Sequence, residues 1–493
     1  MKRPDVTMSV AALLDDAAAP TIMVNGLTED SRSVSEGDAF VAVQGQSSDG
    51  HDFALEAEKN GAACVLAEHP LVGLTIPVVR VARLRVRRGA LAARFYADPS
   101  GAMTCVGVTG TNGKTSIAHY VADMASKVGV PCGYLGTLGW GQPPEFEPSN
   151  LTTEDAITTQ RRLACLRQNG CRWVALETSS HALAQGRVDD VQFAIGVFSN
   201  LTRDHFDYHD DIDTYGAAKQ RLFEFDSLGL SVLNVDDAFG RHLHEVLEQA
   251  SGREVVTYGG DGDIRWQDVA FHDYGLSAEL LTPWGSRQLT LPVFGEFSLS
   301  NVAAAIAVLC SAGLPFAAVV EAAHELTPVP GRMEFFRQPG RPTVVVDYAH
   351  TPDALTKVLA ALRIHCRGRL VCTVGCGGDR DAGKRPMMAK AAVRGADVVW
   401  LTSDNPRSED PQAIIDQMRA GLDDETQVFD VVDRHDAIRR AVTEARSGDL
   451  VVVAGKGHEN YQEVQGKRIP FSDREIVRDL LAASSGEMLG GTR

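Results

Sequence analysis

The sequence predicts an α/β fold in three domains, with a central parallel sheet and a C-terminal doubly wound, Rossmann-like sheet. Three observations carry that expectation. Between residues 105 and 124 a β-branched run ends in spaced glycines and passes straight into an amphipathic helical pattern. Beyond residue 340, strand-like and helix-like segments alternate regularly. Breaker-rich joints at Asp98-Pro99-Ser100 and Thr327-Pro328-Val329-Pro330-Gly331 divide the chain into domains at 1–98, 99–330 and 331–493. With 493 residues, two to four domains are expected in any case.

Residues 1–98 read as short strands and helices around Gly37-Asp38-Ala39-Phe40-Val41-Ala42-Val43. The central domain opens with Gly107-Val108-Thr109-Gly110-Thr111-Asn112-Gly113-Lys114-Thr115-Ser116, followed by Ile117, Val121 and Met124 on one helical face. That is a strand, a phosphate-binding loop and a helix, the start of a P-loop ATPase-like parallel sheet. The glycines at 107, 110 and 113 depart from the usual spacing, since Val108 stands five before Gly113. Glycines let backbone N–H groups close around phosphate oxygens; Lys114 can reach the β/γ-phosphates, and the Thr115 hydroxyl can sit on Mg²⁺. Buried strands follow at 173–176 and 193–198. In the last domain, strands at 343–346, 370–374, 398–401 and 451–453 alternate with a helix from 352 to 365 and helices after Pro386 and Pro411. Ligands bind at the carboxyl ends of such strands. Here those ends carry Asp347-Tyr348-Ala349-His350, Gly377-Gly378-Asp379-Arg380, Asp404-Asn405-Pro406-Arg407 and Gly455-Lys456-Gly457-His458-Glu459.

Composition bounds the partners. The 48 Lys and Arg against 65 Asp and Glu give a net charge of −17 without charge blocks, which argues against a nucleic-acid surface. Nine scattered cysteines, with no C-x-x-C pair, read as reduced buried thiols. The apolar stretch from Val10 to Leu14 stops at Asp15-Asp16, so neither a signal peptide nor a membrane span is expected, and a cytoplasmic location is.

Glu177, in Glu177-Thr178-Ser179-Ser180-His181, follows a buried strand, where a carboxylate suits the Mg²⁺ that accompanies a nucleoside triphosphate better than a helix cap. The segment from Asn200 to His209 holds two histidines and two acids. With no thiolate near, one histidine assisting Mg²⁺ or phosphate is the better reading than zinc. Lys219, on a helical stretch, reads by itself as a solvated charge.

These motifs, in order, resemble the Mur ligases. The resemblance rests on Asp30-Ser31-Arg32 with Gly37-Asp38, the phosphate loop, Glu177 to His181, and Asp204 to His209 followed by Ala218-Lys219. It extends through Gly331-Arg332-Met333-Glu334, Asp347 to Pro352 and Gly455 to Glu459, and so covers essentially the whole chain. It implies ATP-dependent addition of an amino acid to UDP-N-acetylmuramoyl-L-alanyl-D-glutamate by a cytoplasmic monomer using ATP and Mg²⁺. Asp404-Asn405-Pro406-Arg407 is similar to the signature of members that add meso-diaminopimelate. A guanidinium can pair with that substrate's distal carboxylate, which lysine lacks.

The resemblance also implies site residues. Lys114, Glu177, His209 and Lys219 are catalytic, with Thr115, Glu177, His209 and a carbamylated Lys219 toward the metal. ATP falls to Gly110, Thr111, Asn112, Gly113, Lys114, Thr115, Ser116, Asn301 and Arg332. Glu29, Ser31, Gln46, Ser47 and Ser48 match positions holding UDP; Thr152, Thr153, Ser179, Gln185 and Arg187 match those contacting the rest of that substrate. Diaminopimelate falls to Arg380, Asp404, Asn405, Pro406, Arg407, Gly455 and Glu459. Lysine as the added amino acid is the nearest alternative, folylpolyglutamate synthesis fits poorly, and a nucleotide-dependent switch without ligase activity is the rival of another class.

Overall fold

The computed structural model describes residues 3–45, 48–206, 208–249, 252–272, 275–422 and 427–482. The chain forms two compact units. One comprises Met1–Thr202, Asp211–Gly262 and Ala304–Val319; the other Arg203–Asp210, Asp263–Ala303 and Val320–Arg493. Among the described residues no helix is long and apolar enough to cross a membrane.

Besides the short antiparallel pair Met8–Ser9 and Met23–Val24, the first unit carries two larger sheets. The smaller is all parallel, in the order Leu27–Thr28, Ala39–Ala42, Cys64–Ala67, Val78–Arg80. The larger has eight strands, with Thr104–Thr109 flanked by Trp173–Glu177 and Phe193–Phe198 at its centre. Six strands are parallel; the pair Gly139–Gln142 and Glu145–Glu147 closes one edge antiparallel, which the sequence pattern did not reveal. Thr104–Thr109 is buried from Cys105 onward, as a central parallel strand covered on both faces must be. Gly110 and Gly113 turn the chain from strand to helix at φ 143° and 87°. A Cβ on Gly110 would meet the Ser199 hydroxyl at 1.9 Å, so the loop closes only around glycine.

The second unit holds a three-stranded antiparallel sheet, Arg265–His272, Gly275–Thr282 and Gly285–Leu291, and a six-stranded sheet. The six run in the order Glu334–Phe336, Thr343–Asp347, Leu450–Ala454, Leu370–Cys376, Val398–Ser403, Val428–Asp430, parallel except for the first. Alternate side chains face opposite layers. Val345 packs with Leu355, Leu359, Met388 and Ile414 of one helical layer; Val344 and Val346 pack with Ile438 and Val477 of the other. That is the doubly wound arrangement expected. Two helix bounds differ from the sequence reading. The helix containing Pro386 begins at Lys384, because first-turn residues need no intrahelical N–H acceptor and tolerate proline; that from Pro352 ends at Arg363.

Candidate active site

In the first unit the glycine loop is tied to its neighbouring strand end. Asn112 N–H donates to Asn200 Oδ1 at 3.0 Å, and Thr111 N–H to Asn200 O at 2.7 Å. Lys114, first residue of the helix Lys114–Lys127, folds its ammonium onto the carbonyls of Gly110 and Thr111, both at 2.9 Å. Ser116 stays half-buried in that first turn.

Glu177 is the last residue of its strand rather than the first of the loop, and it is 1% exposed. Its carboxylate accepts from Thr115 Oγ1 (2.9 Å), Thr137 N–H (2.8 Å), Thr137 Oγ1 (3.1 Å) and the Tyr134 hydroxyl. A buried charge needs such partners. An oxygen-only pair, Thr115 and Glu177, beside the phosphate loop is the donor set a hard cation such as Mg²⁺ accepts with few protein ligands. Among the described residues no group of three His, Cys, Asp or Glu is arranged to hold a metal.

Lys219 overturns its solvated reading. It is 1% exposed, its ammonium lies 4.1 Å from the Tyr215 ring centroid, and it donates to Gly110 O at 2.9 Å. Two lysines, 114 and 219, therefore share one carbonyl oxygen. The helix's polar-looking spacing hid this, because burial is set by what packs against it.

The residues matched to the nucleotide-sugar peptide form two groups. Thr153 Oγ1 donates to Glu177 O at 2.6 Å and lies 3.3 Å from Ser179 Oγ; Thr152 Oγ1 lies 3.1 Å from Thr137 Oγ1. Arg187 donates to Gln185 Oε1 and, at 2.9 Å, to Thr153 O, so Gln185 is a half-buried anchor rather than a surface amide. In the N-terminal part Ser31 donates to Glu56 at 2.5 Å. Glu29 pairs with Arg88 at 3.3 Å. Burial, then the nearby Asp155, pushes the Glu29 carboxyl up to about 8 against the pull of Arg88 and Arg187. Ser48 is exposed; Gln46 and Ser47 lie outside the described residues.

The second unit holds the remaining candidates. His209 is buried, edge-on to Tyr208. Asn301 lies half-buried on the helix Glu296–Ser311, and the Arg332 guanidinium sits 4.1 Å from the Tyr348 ring centroid. Around Asp404 to Arg407 the strand ends do converge. Asn405 donates to Glu459 (3.0 Å) and accepts from Lys456 (3.0 Å), which also pairs with Glu459 at 2.7 Å. Gly455, at φ 116°, lets its strand end pass Asp404: a Cβ there would meet Asp404 Oδ2 at 2.7 Å. Pro406 is buried, Arg407 partly exposed and Arg380 exposed. Lys456, fully buried, was missed as a site residue, although it stands inside a motif already singled out. Arg434 was missed as well. It is fully buried, bidentate to Asp473, and donates to Ser403 O (3.2 Å) and Ala454 O (2.9 Å), the last residues of two site strands.

Known families match this arrangement along the chain. The Mur ligase family catalytic domain matches residues 23–96, the Mur ligase middle domain 108–309, and the Mur ligase glutamate ligase domain 331–457. The chain belongs to the Mur ligase family. Among Mur ligases, it is 44% identical over 474 residues to the UDP-N-acetylmuramoyl-L-alanyl-D-glutamate–2,6-diaminopimelate ligase of Ectopseudomonas mendocina, covering 95% of this chain and 97% of that one. The enzyme of the same name from Coxiella burnetii is 42% identical over 476 residues, 94% and 97% of the two chains. A solved structure of a ligase of that name superposes with a TM-score of 0.68 at 37% identity, over 96% of this chain and 99% of the other. This Mur ligase thus has the family's three-domain α/β fold, with ATP-dependent ligase chemistry.

Proposed function

We propose that this chain is an ADP-forming ligase of peptidoglycan precursor synthesis that joins meso-diaminopimelate to the D-Glu γ-carboxylate of UDP-N-acetylmuramoyl-L-alanyl-D-glutamate. The observation that carries the reading is the identity of 42–44%, over more than nine-tenths of the chain, to relatives named for 2,6-diaminopimelate. The Asp404-to-Arg407 strand end supports it, since its guanidinium suits the carboxylate that distinguishes diaminopimelate from lysine.

The γ-carboxylate oxygen takes the γ-phosphoryl group of ATP and ADP leaves. The amine then attacks the acyl carbon of the mixed anhydride, loses a proton, and expels inorganic phosphate from the tetrahedral intermediate. Such chemistry needs positioning and charge stabilisation rather than a protein nucleophile. Lys114 lies where its ammonium can leave the two loop carbonyls for phosphate oxygens. Thr115 and Glu177, with Lys219 as its carbamate, would hold Mg²⁺, which supplies positive charge to the transferring group. Carbamylation turns a buried cation into an anionic oxygen ligand. Asp404, Asn405, Arg407, Gly455 and Glu459 bind and orient the amine. We read the enzyme as a cytoplasmic monomer.

Phosphate release measured with ATP, the nucleotide dipeptide and either diaminopimelate or lysine tests the proposal. Release dependent on all three substrates, strong with diaminopimelate and weak with lysine, is expected. Equal rates with both amines would make the specificity wrong; none with either would refute ligase activity.

A further inference from the structure

Arg407 alone among residues 404–407 has a left-handed backbone, at φ 51°. A side chain with a Cβ disfavours that region, so something must hold it there. The holder is a hairpin, Tyr461–Val464 paired with Lys467–Pro470. Arg407 N–H donates to Glu463 O at 2.9 Å, Gln465 N–H donates to Arg407 O at 2.6 Å, and Arg407 bridges to Val464. The same hairpin grips Asn405, whose Oδ1 accepts from Glu463 N–H at 2.9 Å.

The hairpin also holds the guanidinium. Nε lies 3.6 Å from the Glu463 carboxylate, and Nη1 donates to Gly378 O at 2.7 Å. Nη2 makes no hydrogen bond among the described residues. The acidic partner therefore takes the Nε side, while the Nη1–Nη2 edge can still receive a second carboxylate in a forked geometry. Both side chains are partly open, at 22% and 28% exposure, so a ligand can reach the pair.

We infer that Glu463 is a positioning residue for Arg407 and, through it, a determinant of which amine this enzyme accepts. The inference rests on the reading that Arg407 receives the distal carboxylate of diaminopimelate. Without the Glu463 carboxylate the guanidinium keeps a single tether, to Gly378 O, and its flexible stem must be ordered by the substrate instead.

A double-mutant cycle on the full-length enzyme tests this, with KM for diaminopimelate, ATP and the nucleotide dipeptide measured for Arg407→Ala, Glu463→Ala, Glu463→Gln and Arg407→Ala/Glu463→Ala. Glu463→Ala should raise KM for diaminopimelate about three- to tenfold and reduce its preference over lysine by a similar factor. kcat and the other two KM values should stay within about twofold, and Glu463→Gln should keep part of the effect of the native residue. In the Arg407→Ala background the second substitution should change nothing further. An unchanged or lower KM for Glu463→Ala overturns the inference, as does an additive loss in the double variant, which would place Glu463 on the substrate itself. If Arg407→Ala leaves that KM unaltered, the reading of Arg407 fails and takes the inference with it.

Discussion

At Glu29 a single carboxyl is held against its chemistry. Burial and Asp155 push it up to about 8 from an ordinary 4.5. A raised value in the folded state contributes stability that is complete below about 4.5 and is lost as pH rises through about 8. Glu29→Gln should therefore melt increasingly higher than the native chain across that interval, with a constant gap above it; a gap independent of pH would contradict the assignment. Lys219→Ala should lose turnover by about 10²–10³-fold, with the melting temperature and binding of the nucleotide dipeptide nearly unchanged. Lys219→Glu should restore part of it, and near-normal turnover for Lys219→Ala at limiting Mg²⁺ would make it a structural lysine. Arg407→Ala should weaken diaminopimelate discrimination on the order of 2–4 kcal/mol, seen as KM for that substrate and not for ATP. The loop residues from Gly110 to Ser116 were legible because glycine spacing and an adjoining helix pattern are local. Lys219 stood out only through resemblance, since its burial depends on tertiary packing and its ammonium bonds to Gly110 O, 109 positions away.

Between elements, Arg434 works as a clasp. Its guanidinium joins the ends of Val398–Ser403 and Leu450–Ala454 and is neutralised by Asp473, at the start of the helix Asp473–Ala482. The next residue, Arg474, grips Glu334 at 2.5 Å, and Glu334 in turn accepts from Gly331 N–H at 2.7 Å. Arg434→Met should cost about 3–5 kcal/mol in denaturant unfolding, because Asp473 is left charged and unpaired; Arg434→Met/Asp473→Leu should recover much of it. A double variant as unstable as the single one would show that the carbonyl contacts dominate. A second pair, Glu409 with Arg385 at 2.8 Å, holds the Glu409 carboxyl down to about 2, chiefly through that bond. Its contribution is present above about 4.5 and fades as pH falls toward 2, so Glu409→Gln should flatten the acid limb of the stability profile. The alternation of strand and helix beyond residue 340 was readable because each strand is a continuous apolar run. The antiparallel sheet from Arg265 to Leu291 was not. Its first strand alternates between exposed and half-buried residues, giving no continuous apolar run to mark it.

For the whole molecule, a net charge of −17 faces two substrates, ATP and the nucleotide dipeptide, that are themselves anions. Raising ionic strength from about 0.01 to 0.15 M shortens the screening length from roughly 30 to 8 Å, so association of the nucleotide dipeptide should quicken with salt. Stopped-flow rates that fall instead would mean that Arg88, Arg187 and their neighbours dominate the local field. The ligase class was visible in the sequence because several distinct motifs stand in a fixed succession. The ties that give the site its shape were not, because Asn405 and Glu459 lie 54 residues apart and Arg434 and Asp473 lie 39 apart. The left-handed turn at Arg407 has an evolutionary corollary. Glycine or asparagine would rest there with less strain, by up to about 1 kcal/mol. On the proposed reading of Arg407, drift toward a sturdier protein leads away from the arginine, and the carboxylate it would receive, rather than the needs of folding, is what retains it.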